Sequence, residues 1–240
     1  MPYPQLALIA LAGFAAGAVN ALAGGGTLIS FPVLLAAGLP AIAANVTSTI
    51  ALCPGYLGAT LAQRADLHGQ RTRLYVLLPL SLVGGLLGSA LLLHTGEQKF
   101  TRTVPWLLLG ACALLASQER LRDALAARSS SSAADPPGGV PPAPLWLLPL
   151  VAVGAVYGGF FGAGMSVVFL AILGLALNDT LPRLNALKQA LALATNCAAA
   201  AWLAMRGAVN WRLVAVLALS ALLGGVWGGR LAGRLSPLWL

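Results

Sequence analysis

Unbroken apolar runs of about 20 residues follow one another along nearly the whole chain, and that is the length an α-helix needs to cross the hydrocarbon of a bilayer. They lie at approximately 6–23, 27–39, 41–62, 74–93, 103–117, 145–162, 165–177, 184–205 and 213–232. A bilayer offers no water to backbone N–H and C=O groups, so spanning segments must be helices or a closed barrel. Barrel strands alternate apolar and polar residues, and these runs do not. Composition points the same way. The 240 residues are 59% hydrophobic and 8% charged, with a mean hydropathy of +0.86, whereas a soluble domain is about one quarter charged. The expected fold class is all-α: a polytopic membrane protein with two inverted repeats, each holding a glycine-broken helical hairpin, and about 7–9 membrane segments.

The run at 6–23 is read as a retained span, because a secretory signal needs a basic leader and no Lys or Arg precedes Arg64. The net charge of +8 would suggest nucleic acid only if the basic side chains shared one soluble face. They sit instead in short loops, so nucleic acid is not an expected partner. Cys53, Cys112 and Cys197 are scattered through apolar segments without metal-ligand spacing. No metal and no cofactor is expected.

Two pairs of runs are nearly fused. Gly24, Gly25 and Gly26 alone separate 6–23 from 27–39, and the Gly162–Gly164 turn alone separates 145–162 from 165–177. Glycine permits a tight reversal there. Each second arm has 13 residues, about 20 Å of helix, too short to span. Two hairpins that dip into the membrane and return are expected.

Ser129 to Pro144 is rich in Ser, Pro and Gly and suits a linker. The division expected is a first repeat with a connecting helix over 1–117, a linker region over 118–144, and a second repeat over 145–240. The halves echo one another. Gly13, Gly17 and Asn20 correspond to Gly154, Gly158 and Phe161. Gly84, Gly85 and Gly88 correspond to Gly224, Gly225 and Gly228, and Asn45 to Asn185.

If each hairpin returns to its starting side, one side receives Arg64, Arg71, Arg73, Arg120, Arg122, Arg128, Arg183, Arg230 and Arg234. The other receives Lys99, Arg102, Arg206 and Arg212. The richer side is expected to be cytoplasmic, with the N-terminus outside and the C-terminus inside a cell (inner) membrane. The helix at 103–117 then makes the halves enter from opposite sides, as inverted repeats of secondary transporters do.

Four constellations carry the candidate chemistry. In the first, Asn20, Gly24, Gly25, Gly26 and Thr27 end one helix and start another within the bilayer. In the second, Phe161, Gly162, Gly164, Met165 and Ser166 do the same. A new helix presents unpaired N–H groups and a positive dipole end, and glycines let a ligand approach closely, which together suit an anion. The plainer alternative is close helix packing through small residues. Asn45 and Thr49 share a helix face in the third, where hydroxyls often bond only their own helix. In the fourth, Asn185, Lys188, Gln189, Thr195 and Asn196 form one polar stripe. Lys188 alone among Lys and Arg lies inside a predicted span core, near one end, where a cation is functional by default unless it snorkels to the interface. No acidic residue lies in a span core, and no His within a span could serve Ser166 as a base, so an enzyme is not expected.

Gly17, Asn20, Gly24 to Thr27, Phe31, Pro32, Gly38 and Pro40 resemble the first-repeat signature of the sulfite exporter TauE/SafE family. Gly154, Gly158, Phe161 to Gly164, Asn185, Lys188 and Gln189 are similar to its second repeat. The resemblance covers nearly all the chain except the linker. It implies inverted hairpin repeats and a transporter of sulfite, sulfonates or related organic acids. Met165 departs from it, since a small residue such as Gly is expected there.

The reading that follows is a secondary transporter whose small anionic substrate sits between the hairpin tips. Backbone N–H groups after Gly26 and Gly164 would bind it, Lys188 would supply charge, and Asn45, Thr49, Asn185 and Gln189 would orient it. Its other expected partner is the lipid bilayer, with a homo-oligomer left open. An anion channel and a non-transporting membrane assembly partner remain as alternatives.

Overall fold

The computed structural model describes residues 3–22, 24–129, 141–207 and 209–232. Among them are nine α-helices and one short 3₁₀ turn, with no strand. The helices are α1 (Tyr3–Leu22), α2 (Thr27–Ala36), α3 (Ala41–Ala62), α4 (Arg71–Thr95), α5 (Glu97–Ser129), α6 (Leu147–Phe160), α7 (Met165–Ala176), α8 (Leu181–Arg206) and α9 (Trp211–Ala232). Each apolar run has its helix. Helix α5 runs well past 117, through residues 118–129 of the expected linker region. Ala, Leu, Arg, Glu and Gln dominate there, and these are strong helix formers even where apolar periodicity has stopped. Within the Ser129–Pro144 linker, residues 130–140 lie outside the described residues.

Four helices are long and apolar enough to cross a membrane: α1, α4, α9 and the first part of α5. Helices α3 and α8 are equally long but polar, and their polar side chains are buried. Asn45, Thr47, Ser48, Lys188, Gln189 and Thr195 are fully enclosed. The outer helices show the reverse pattern: Leu87 on α4, Trp106 and Leu109 on α5, and Leu219, Leu223 and Trp227 on α9 are all exposed. An apolar exterior around a polar centre is stable in lipid, where water does not penalise the exterior.

The central pair, α3 and α8, is antiparallel. Gln63 at the end of α3 meets Asn185 near the start of α8. Asn196 bonds the Thr49 carbonyl at 2.8 Å, and Val46 lies against Gly207 at the far end. Around this pair the repeats exchange their last helices: α4 packs on α6 and α8, and α9 packs on α1 and α3. The glycines matched between halves make both exchanges. A Cβ at Gly88 would overlap the Val156 carbonyl of α6, and one at Gly224 would overlap the Phe14 carbonyl of α1. Gly85 opposes Thr195, and Gly225 opposes Gly55, at the other two contacts.

The result is two inverted repeats, α1–α4 and α6–α9, with α5 between them. Hairpin α1–α2 leads back to the α3 start, and hairpin α6–α7 leads back to the α8 start at the opposite end of the bundle. Arms α2, α6 and α7 have only 10, 14 and 12 residues, too few to span, while α1 has 20. The four hairpin arms are thus not four crossings.

Candidate functional site

The hairpin tips touch. A Cβ at Gly24 would overlap the Cβ of Ser166, and the Thr27 hydroxyl lies 4.0 Å from where a Gly162 Cβ would be. Gly24, Gly162 and Gly164 have φ of +91°, +77° and +74°, a left-handed backbone in which a side chain is strained. Helix α5 crosses over both tips, with Leu115 against Gly25 and Ala111 against Gly164. Phe161 is buried and packs edge-on to Phe31 at 5.4 Å, with Phe100 beside it at 6.1 Å.

The first tip is closed by its own side chain. Asn20 Oδ1 accepts the Gly26 N–H at 2.8 Å, and the Gly24 N–H returns to the Val19 carbonyl at 2.8 Å. The second tip has no such cap. Tyr157 donates its hydroxyl to the Ala163 carbonyl, and the Met165 and Val167 N–H groups bond Gly162 and Gly164. Among the described residues, the N–H groups of Ala163, Gly164 and Ser166 donate to no protein acceptor. Ser166 is fully buried and its hydroxyl has no partner. Asn20, equally buried, has a free Nδ2. Tyr56 of α3 places its hydroxyl beside both Ser166 and Asn20.

Two of the three amides expected to orient a substrate are tied to the hairpin of the opposite repeat. Gln189 Nε2 donates to the carbonyls of Asn20 and Ala21 at 3.0 Å each. Asn45 Nδ2 donates to the Phe160 carbonyl at 3.0 Å. Each broken helix therefore has its last carbonyls, two in α1 and one in α6, satisfied across the repeat boundary. Both amides keep an unpartnered oxygen. Thr49 is engaged through its carbonyl to Asn196. Asn185 stands apart from the tips and donates to Gln63 Oε1 at 2.5 Å. Lys188, one residue before Gln189, is completely enclosed, so its ammonium does not snorkel to the surface.

Met165 is buried and fills the notch above Gly158, where a Cβ would overlap its sulfur. Its bulk is taken up by that glycine and not by the space between the tips. Reading of the sequence did not single out Tyr56, Gln63 or Tyr157. Tyr56, flanked by Gly55 and Gly58 in a polar helix, carried the only usable signal.

Inverted repeats, broken hairpins meeting inside the bundle and an apolar exterior define a polytopic membrane transporter. The family follows from comparison. Residues 9–240 match the model of the sulfite exporter TauE/SafE family, and the chain belongs to it. It is 26% identical over 227 residues to a "Probable membrane transporter protein" of Haemophilus influenzae, covering 94% of this chain and 84% of that one. It is 25% identical over 232 residues to "Probable membrane transporter protein ORF9" of Sinorhizobium sp, covering 97% and 85%. No solved structure matches it.

Proposed function

We propose that this protein is a secondary transporter in a cell (inner) membrane, N-terminus outside, moving sulfite, a sulfonate or a related small organic anion past the meeting point of its hairpin tips. The observation that carries the reading is the excess of donors there. The Ala163, Gly164 and Ser166 N–H groups, the Ser166 hydroxyl and Asn20 Nδ2 are without protein acceptors, and no described acidic residue lies in a span core. Sulfite and sulfonates present three oxygens in a compact head, all acceptors. Backbone N–H groups at the start of α7 suit such a head, because the helix dipole adds positive potential. Enclosed Lys188 adds a full charge close by. Two repeats that meet at α3–α8, at the exchanged helices and at the hairpin tips provide the bodies that alternating access requires.

The test is sulfite flux into proteoliposomes by wild type, Lys188→Met, Gly25→Leu and Ser166→Val. Wild type should accumulate label in a saturable way, and each variant should fall by about tenfold or more, the effect of losing one or two buried charged or donor contacts. Normal flux in all three variants would remove the tips as the site. Unitary currents from the wild type would replace the transporter with the channel.

A further inference from the structure

A second donor-rich site lies at the arginine-rich end of the bundle. It is built where the α3–α4 connection meets the start of α8. Gln70 Nε2 bonds the Asp66 and Arg183 carbonyls at 2.9 and 3.0 Å, which fixes the two segments together. Arg73, 1% exposed, donates NH1 to Asp179 Oδ2 at 2.6 Å and to Gln70 Oε1 at 3.2 Å, and its Nε to the Pro141 carbonyl at 3.1 Å. The other Asp179 oxygen takes Arg183 Nε at 2.8 Å and the Thr180 N–H at 2.8 Å. One carboxylate therefore serves two guanidinium groups, accepting three hydrogen bonds at its two oxygens. Arg64 and Arg71 lie on the same connection, so four guanidinium groups stand against two carboxylates, Asp66 and Asp179, and positive charge is in excess at this end. Asp66, the other nearby acid, makes no ion pair among the described residues.

The leftover charge coincides with unpartnered donors. Arg183 NH2 is buried and bonds nothing. Gln63 is 5% exposed, and with its Oε1 taken by Asn185, its Nε2 is also without an acceptor. Buried donors beside uncompensated positive charge are costly unless an acceptor anion occupies the place.

We propose that Gln63 Nε2, Arg183 NH2 and the surrounding charge form an outer oxyanion site, the first station for the anion before the hairpin tips. This rests on the reading of the tips given above. Asn185 and Gln189 are four residues apart on α8, about 6 Å of helix rise, so the outer site is about one turn from the Gln189–Asn20 contact. Lys188 lies between them. An anion leaving the outer site thus moves along the polar stripe of α8 and not through apolar surface. The chemistry recognised is a small multivalent oxyanion, dissolved or carried as a lipid phosphate at the same membrane level.

The experiment uses sulfate as a non-oxidisable probe. Thermal stabilisation of the purified full chain in neutral detergent is titrated against sulfate, with chloride at matched ionic strength. The double variant Ser166→Val with Lys188→Met, which disables the tips, should keep a saturable sulfate response. Gln63→Glu in that background, a near-isosteric change, should weaken the response by tenfold or more, and Arg183→Gln by severalfold. Gln63→Leu, which removes the donor without adding repulsion, should fall between them and guards against misfolding of the acidic variant. Added phosphatidylglycerol that competes with sulfate would identify the lipid phosphate as a second occupant of the same site. No competition would leave the dissolved anion as its sole occupant. The proposal is overturned if the tip variant has no sulfate response, or if Gln63→Glu and Gln63→Leu leave it unchanged. Failure of the tips reads out separately, as normal sulfite flux in Ser166→Val and Lys188→Met.

Discussion

The two hairpin tips occupy equivalent places in the inverted repeats and are finished differently. In the first, Asn20 reaches forward and accepts the Gly26 N–H. In the second, the matching position holds Phe161, which accepts nothing and packs against Phe31 and Phe100. The first tip is closed by a polar cap and the second by aromatic packing, which leaves the N–H groups of Ala163, Gly164 and Ser166 unused. A single exchange between repeats thus separates a capped tip from an open one. Two identical tips facing one another would form two weak sites. One capped and one open tip would form one asymmetric site, and the capping residue's own Nδ2 is buried without a partner.

The comparison breaks most readily at the helix exchange that holds the tips in place. Gly88→Leu and Gly228→Leu should each cost about 3 kcal/mol or more, since overpacking against backbone leaves no side chain to rotate away. A Cβ at Gly88 would meet the Val156 carbonyl and the Phe160 N–H, and one at Gly228 the Ala18 backbone. Loss of the monodisperse peak in size exclusion is the expected result for both. A normal Gly228→Leu beside a lost Gly88→Leu would mean that the two exchanges are not equivalent.

Asn20→Leu should cost about 2 kcal/mol, because it strands the buried Gly26 N–H, and Asn20→Asp should recover part of the loss by keeping the acceptor. Melting temperatures of both variants against wild type decide this. If Asn20→Leu melts with wild type, the first tip is not held by its cap and the asymmetry is only apparent in outline. The cross-repeat ties come next. Gln189→Leu should cost about 1–2 kcal/mol and Asn45→Leu about 1 kcal/mol, as Gln189 satisfies two carbonyls and Asn45 one. Equal shifts would show that the second carbonyl finds another donor.

Much of this fold could be read from the chain. The helix edges 41–62 and 165–176 follow directly from Pro40, Gly164 and the ends of the apolar runs. The repeat was legible because the same glycines are needed wherever two backbones meet. Which backbones meet was not legible. Nothing local in Gly84, Gly85 and Gly88 says that α4 packs on the other repeat's hairpin, since the packing rule is the same for any partner. That the polar residues of the spans need partners was legible, and which partners they find was not. Asn45, Asn185 and Gln189 were all expected at one substrate, because a polar residue in a span needs a polar partner. The antiparallel α3–α8 pair instead sends Asn185 to Gln63, Gln189 to the first tip and Asn45 to the second. Helix α5 beyond residue 117 was missed because its helix is sustained by propensity, not by an apolar stripe.

Ser166→Ala should have the smallest effect on stability and bears most closely on the contrast between the tips. A hydroxyl that is fully buried and without a partner contributes no hydrogen bond to the fold, and its removal takes away a desolvated polar atom. The expected change is within about 0.5 kcal/mol, or slightly stabilising. The same change should raise the sulfite KM severalfold, because the hydroxyl's acceptor would then be the anion. A stability loss of more than about 1 kcal/mol would show that the hydroxyl serves the fold, through Tyr56 or Asn20 beside it. The open tip would then be as structural as the capped one, and the donors that distinguish it would shrink to the backbone alone.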